Sequence, residues 1–250
     1  MNLQQKPWKI ILIGDSCIDE YIYGTVNRIS PEAPIPILDF KQKEIRDGMT
    51  LNVYKNLINL GCDIEIHTSV LEKKTRFIDS KSNQQLLRFD SKLKSDQYKT
   101  STKWSKPYDA IIISDYDKGY LTYDVIEYII KNSDAPVFID TKKPDLNRFK
   151  NAYIKINNNE YNLSTSKSDK MIVTYGGEKV VYQGRVFYPP KVNAHDVCGA
   201  GDTFIAALVK KFLDTNRIDK AIEYAMKAAA VTVKNIGVYA PTIEEIDNED

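Results

Sequence analysis

Five short apolar runs, each closed by a polar residue, do most to limit the folds open to this chain. Ile10-Ile11-Leu12-Ile13 leads into Gly14-Asp15, and Ala110-Ile111-Ile112-Ile113 into Ser114-Asp115. Val137-Phe138-Ile139 ends at Asp140, Tyr153-Ile154-Lys155-Ile156 at Asn157, and Met171-Ile172-Val173 at Thr174. Unbroken runs rich in β-branched residues suit strands covered on both faces. Between them, helical spacing predicts helices over Leu51 to Leu60, Tyr123 to Lys131, Thr203 to Leu213 and Lys220 to Lys234. This alternation predicts an α/β fold with a mostly parallel sheet between two helical layers. Such sheets bind ligands beyond the carboxyl ends of their strands. Asp15, Asp115, Asp140, Asn157, Thr174 and Asp202 are therefore expected along one edge.

Two segments break the rhythm. Tyr21 to Phe40 alternates aromatic and polar residues around Pro31, Pro34 and Pro36, as a partly exposed β element would. Arg76 to Asp79 and Gln84 to Asp90, split by Ser80-Lys81-Ser82-Asn83, read as a hairpin. Together, over about 16–46 and 66–90, they predict a β flap, or lid, above the sheet edge. Lys92 to Lys106 reads as a solvated helix or loop, and Glu244 to Asp250 as a frayed acidic tail. No repeat or linker divides the chain, so residues 1–250 are expected to form one domain.

The chemistry concentrates in Asp196-Val197-Cys198-Gly199-Ala200-Gly201-Asp202-Thr203-Phe204, which precedes apolar residues at helical spacing. A Gly-rich turn feeding a helix offers unpaired amides and the positive end of the helix dipole to a phosphate. A carboxylate at its mouth could take the proton of an attacking hydroxyl. Asp as a plain helix cap is the simpler alternative for so short a pattern.

Composition narrows the classes. A formal net charge of +1 disfavours a nucleic-acid surface. Three cysteines without a CxxC pair, beside two histidines, disfavour a structural zinc site and suit a reducing, cytoplasmic setting. No apolar run has the length that spans a bilayer, so no membrane partner is expected.

The Gly199-Ala200-Gly201-Asp202 string resembles that of the ribokinase-like (PfkB) sugar kinases, with Cys198 where Thr is commonest. The resemblance narrows to the D-glycero-D-manno-heptose-7-phosphate kinases. It is carried by Gly14-Asp15-Ser16-Cys17-Ile18-Asp19, Tyr23-Gly24, Arg28-Ile29-Ser30-Pro31-Glu32-Ala33-Pro34-Ile35-Pro36, Asn83 to Asp90, Ser114 to Gly119 and Asp140-Thr141-Lys142. It implies a three-layer ribokinase-like fold and an ATP-dependent kinase. The enzyme would phosphorylate the anomeric hydroxyl of a heptose 7-phosphate, a step toward ADP-heptose and lipopolysaccharide. Bifunctional members carry a nucleotidyltransferase domain after the kinase, and none is expected here.

By the same resemblance, Asp202 is the base, and a helix N-terminus should hold its pKa low. Gly199, Ala200 and Gly201 cradle the ATP phosphates, with Thr174 and Gly176 in the nucleotide loop. Asn157 and Glu160 organise Mg²⁺ through water, and a monovalent cation is left open. Asp15, Asp19, Gly48 and Asn52 line the sugar pocket, joined by Asp115 and Asp140. Arg28, Arg88, Lys118 and Lys142 meet the substrate phosphate, with less support for Lys143. A homodimer through the flap is implied. Departures are Asp47-Gly48 in place of Gly-Gly, which puts a negative charge near the sugar pocket, Lys179 for a second glycine, and Met226 where relatives often have Asn. The chain also omits helical segments between Val70 and Arg76 and between Tyr161 and Met171. These leave two alternatives, a kinase for another sugar or sugar phosphate and a catalytically weak sugar-binding or regulatory relative.

Overall fold

The computed structural model describes residues 6–91, 95–100, 107–235 and 237–249. The central sheet is built from β1 (Lys9–Gly14), β4 (Asp63–Thr68), β7 (Ala110–Asp115), β8 (Val137–Thr141), β9 (Tyr153–Asn157), β10 (Met171–Thr174), β11 (Val180–Tyr182) and β12 (Arg185–Phe187). Its order is β12-β11-β10-β9-β8-β7-β1-β4. The six strands from β10 to β4 pair in parallel, while β11 and β12 add antiparallel. All five apolar runs are strands. The edge strand β4 escaped sequence reading because Asp63-Ile64-Glu65-Ile66-His67 alternates with polar residues, as a strand covered less fully can.

Successive residues of the inner strands feed opposite cores. Ile10, Leu12, Ile112 and Phe138 pack with α1 (Thr50–Asn59), α4 (Ala200–Thr215) and α5 (Ile218–Val233). Ile11, Ile13, Ile111, Ile113 and Ile139 pack with α2 (Tyr123–Lys131), Leu146 and Phe149 on the other face. Three layers result. Thr122 starts α2 by accepting the Val125 amide at 3.3 Å, with Asp124 in the first turn and Lys131 in the last, where the dipole favours each. A short α3 (Asn158–Leu163) follows β9 directly.

Four strands, in order β3-β2-β5-β6, make the flap: β2 (Ser16–Ile29), β3 (Pro36–Met49), β5 (Glu72–Asp79) and β6 (Gln84–Ser91). Only Asp15 separates β1 from β2, and β3 runs straight into α1. The ladder shifts register between Tyr23 and Gly24, and again between Val26 and Arg28. Gly14 sits at this root. A Cβ there would lie 2.0 Å from the Ser114 carbonyl oxygen and 2.4 Å from Thr50 Oγ1. Because the obstacle is backbone, Gly14→Ala is expected to cost about 3 kcal/mol and lower the melting temperature by roughly 10 °C, measured by thermal unfolding.

Two expectations change. Asp47 is exposed and pairs with Ile18, so its charge lies on the strand face away from Gly48 and Asp19. The glycine-like backbone falls instead on buried Met49, at φ 59° and ψ −130°, a conformation that L residues rarely adopt. The chain end is not frayed either. Ile243–Asp247 forms α6, closed by a reciprocal Thr242–Glu245 capping box, with Ile246 buried and Glu249 bonded to Lys234 at 2.6 Å. Most of Lys92 to Lys106 lies outside the described residues. Within it, residues 95–99 have no regular structure, and Tyr98 is buried against His67 and Tyr120.

Candidate active site

The carboxyl ends of β7, β8 and β9 meet the start of α4 around a cleft of about 140 Å³. Asp115, Asp140, Lys142, Asn157, Glu160, Gly199, Gly201 and Asp202 line it, all of them expected from the sequence. Tyr116 and Lys155 complete it, and neither was expected. A larger cavity of about 340 Å³ adjoins it, within the range of small-molecule sites. Thr174, Gly176, Ala200 and Gly201 line that cavity, with Val180, Phe204 and Met226 among its apolar walls. Lys155 and Gly201 belong to both.

Asp202 is 7% exposed and held on both oxygens. Asn52 Nδ2 donates to Oδ2 and Tyr116 Oη to Oδ1, each at 2.9 Å. Each oxygen keeps a lone pair for a further donor. Burial pushes its pKa up to about 6, with Asp140 adding to the rise against the bonds from Asn52 and Tyr116. The sequence reading, that a helix N-terminus lowers this pKa, is therefore reversed. Removing the carboxylate from water outweighs the dipole.

The glycine cradle differs in one donor. The Ala200 amide is turned to the Val197 carbonyl at 3.3 Å. Gly201 and Asp202, in the first helical turn, have amides without intrahelical partners, an arrangement that suits an anion. Gly199 adopts φ 78°, and a Cβ there would meet Asn52 Nδ2 at 2.7 Å. Its glycine identity thus protects the residue that orients Asp202.

Lys155 and Asp140 form a buried pair at 2.6 Å across β9 and β8. Burial opposes the ammonium's charge, and the carboxylates of Asp140, Glu160 and Asp202 together outweigh it. Burial raises Asp140 despite its partner. Asn157 caps α3 by accepting the Glu160 amide at 2.9 Å, while Glu160 returns to the Asn157 amide at 2.8 Å. This capping box identifies which of the three asparagines pairs with Glu160. Lys142 reaches the other Glu160 oxygen at 2.8 Å and stacks on Tyr116, so it stands on the phosphate side of the cleft.

Asp15 is 1% exposed and accepts from the Tyr116 and Lys118 amides at 2.8 and 3.4 Å. It braces the loop that carries Tyr116 through Oδ2, while its buried Oδ1 has no partner among the described residues. Asp115 is tied to Thr141 at 2.6 Å and to buried Lys143 at 3.4 Å. In the free chain Lys143 is the counter-ion of Asp115 and Asp117.

Over the cleft, Asp19 pairs with Arg76 at 2.5 Å, and Tyr21 lies between the guanidiniums of Arg46 and Arg76, each 5.0 Å from its centroid. Arg88 faces Arg76 across the ladder, holds Asp90 at 2.7 Å and feels the charge of Asp19. A Cβ on Gly48 would press Asp19 Oδ2 at 2.7 Å. Lys118 lies 3.7 Å from Glu72 at the flap root. Arg28 is exposed at the far end of β2, eleven residues beyond Cys17. At about 3.3 Å per residue it stands well outside its own chain's cleft, so its expected phosphate contact is not made within one chain.

Four carboxylates and two ammoniums line the smaller cleft. Among the described residues, no three His, Cys, Asp or Glu side chains converge to hold a metal directly. This donor set fits Mg²⁺ held mainly by phosphates and water beside Glu160. Among the described residues, no helix is long and apolar enough to cross a membrane.

Comparison with known proteins places this geometry. Residues 64–245 match the model of the pfkB family carbohydrate kinases. The bifunctional protein HldE of Nitratiruptor sp. is 31% identical across 97% of this chain, and that of Campylobacter jejuni strain RM1221 is 30% identical across 97%. The chain spans 64% of the length of each. Ribokinase from Thermotoga maritima superposes with a TM-score of 0.71 at 15% identity, over 96% of this chain and 98% of that one. Phosphofructokinase-2 from Escherichia coli does so at 0.71 and 12%, over 98% of both. With its fold, cleft and sequence in agreement, the chain belongs to the pfkB family of carbohydrate kinases, phosphotransferases that act on a sugar hydroxyl.

Proposed function

We propose that this kinase uses ATP to phosphorylate the anomeric hydroxyl of D-glycero-D-manno-heptose 7-phosphate, giving the 1,7-bisphosphate. The carrying observation is Asp202, buried and oriented in the smaller cleft, next in sequence to the Gly201 that both cavities share. The larger cavity takes the nucleoside and the smaller cleft the terminal phosphates. The sugar hydroxyl oxygen forms a bond to the γ-phosphorus as the bond to the β,γ-bridging oxygen breaks. That electron pair leaves with ADP, and Asp202 receives the hydroxyl proton. Asn52 and Tyr116 keep the carboxylate aimed throughout. The Gly201 and Asp202 amides meet charge developing on the phosphoryl oxygens, where preorganised donors cost no rearrangement. Mg²⁺, when bound beside Glu160, would neutralise part of the phosphate charge.

The heptose assignment is supported by the HldE relatives and by the fixed cations Arg76 and Arg88 beside Asp19. Asp19 and the Gly48 backbone would hold sugar hydroxyls, and the guanidiniums the distal phosphate, which Arg grips with two donors. The enzyme would act in the cytoplasm, ahead of nucleotidyl transfer to ADP-heptose. ADP release with a panel of sugars and sugar phosphates tests the reading. Preference for heptose 7-phosphate of at least tenfold is expected. Preference for another sugar phosphate would move the assignment within the family, and binding without turnover would reject catalysis.

The flap also supports a homodimer. Ile22, Ile45, Phe77, Leu87 and Phe89 share one face by strand register, and Ile45, Leu87 and Phe89 are each more than half exposed. An apolar sheet face of this kind marks an association surface. Light scattering is expected to give twice the chain mass, and Phe89→Lys to give a monomer.

A further inference from the structure

On α5, Met226, Ala229, Ala230 and Val233 line the larger cavity, at a spacing of three and four residues that puts all four on one helical face. Val180 and Pro190 add further apolar wall. Among the described residues, only Lys155, Thr174 and Lys191 bring polar side chains to this space of about 340 Å³.

None of the three is placed to tell one purine from another. Lys155 stands where the cavity meets the smaller cleft and is paired with Asp140 at 2.6 Å. The Thr174 hydroxyl donates to the Ile156 carbonyl at 3.3 Å. Lys191 is exposed, and its ammonium, on a flexible stem, can donate to a ring nitrogen or a carbonyl alike. The Val233 carbonyl, where α5 ends, already accepts the His195 and Asp196 amides at 2.7 and 3.2 Å. The wall therefore offers a base contact area, with no carboxylate or carboxamide among its described side chains to grip the edge.

Such a wall selects by shape. A site that hydrogen-bonds a substrate group strongly rejects analogues lacking it, whereas an apolar pocket separates near-isosteres weakly. Adenine and guanine share one ring system and differ in their edge groups. Met226, 6% exposed, adds a polarizable thioether that can pack against either.

We propose that this cavity takes purine nucleotides without distinguishing adenine from guanine, so that GTP and ITP serve as phosphoryl donors alongside ATP. The inference rests on the kinase reading above and widens its donor. The step itself is unchanged: the γ-phosphorus gains a bond to the sugar hydroxyl oxygen as its bond to the β,γ-bridging oxygen breaks. The nucleoside diphosphate leaves with that electron pair, and Asp202 takes the proton. Met226 sets the breadth, because a carboxamide in its place would offer adenine's edge a donor and an acceptor together.

Calorimetric binding of ADP, GDP, IDP and CDP, with no sugar present, tests this, together with kcat/KM for the four triphosphates on a sugar phosphate that is turned over. The three purine diphosphates are expected to bind within tenfold of one another, and their triphosphates to give kcat/KM within tenfold. CDP should bind at least threefold more weakly than any of them, since a smaller ring covers less of the apolar wall. Met226→Asn is expected to raise the preference for ADP over GDP at least threefold. A wild-type preference for adenine above tenfold would overturn the proposal. So would a CDP affinity within threefold of the purines, which would put the base outside the cavity, or an asparagine variant whose preference moves less than threefold. A chain that binds none of the four nucleotides would reject the kinase reading and this inference with it. One that binds the purines alike yet phosphorylates no sugar offered would remove the sugar assignment and leave the inference standing.

Discussion

Asp202→Asn is expected to lower turnover by at least 10³ and, at the same time, to raise the melting temperature at neutral pH. The first effect follows from removing the group that takes the hydroxyl proton, a role worth about 10² to 10⁴ on top of its aim at the acceptor. The second follows from burial. Asp202 has a pKa near 6 in the folded chain against about 4 when unfolded. Below pH 4 both forms are neutral and nothing is lost. Between pH 4 and 6 the folded state holds a proton that the unfolded state has released, so stability falls as pH rises through this window. Above pH 6 the full cost, about 3 kcal/mol, is present. Asparagine keeps the shape and can still accept from Asn52, so a rise of roughly 5–10 °C at pH 7.5 is expected, shrinking toward zero at pH 4. The wild-type pH profile of kcat/KM should fall on the acid side with an apparent pKa near 6. More than a tenth of wild-type turnover in the asparagine variant would remove Asp202 as the base. A melting temperature that stays below wild type at pH 7.5 would show that the buried charge is not a burden.

Arg88→Met should separate substrate grip from chemistry. A charged hydrogen bond to a phosphate contributes about 1.5–3 kcal/mol, so KM for heptose 7-phosphate is expected to rise about 10- to 100-fold with kcat nearly unchanged. KM for the unphosphorylated heptose should stay within twofold. Arg88 is exposed and its partner Asp90 is exposed too, so the melting temperature should move little. Equal losses with both sugars would take the distal phosphate away from this arginine.

Much of this was legible in the sequence because the strands of a parallel sheet advertise themselves. Ile111-Ile112-Ile113 must be covered on both sides, and the polar residue after such a run must reach the ligand edge. Gly199 to Asp202 was legible for the same reason, since few structures need that spacing. Lys155 was not. It sits inside an apolar run, where periodicity treats it as an interruption, and only the tertiary fold brings the first turn of α4 close to its amine. Tyr116 was hidden likewise: nothing in its neighbours tells that its hydroxyl crosses to Asp202, 86 residues away. Arg28 lies at the other extreme: the string around it resembles a family, and the length of β2 sets the side chain away from its own chain's cleft. The rise in the Asp202 pKa was missed because burial depends on Asn52 and Tyr116 closing over it, whereas the helix end could be read locally.

The root of the flap has a mechanical consequence. A lid that swings needs a slack joint, and here one residue joins β1 to β2 while β3 enters α1 with none to spare. Bending is left to the sheet itself, at the register slips beyond Tyr23. The half nearest Asp19 then stays clamped to the enzyme's floor while the outer half flexes like the tip of a leaf spring, so capturing a sugar need not disturb the groups that will react with it.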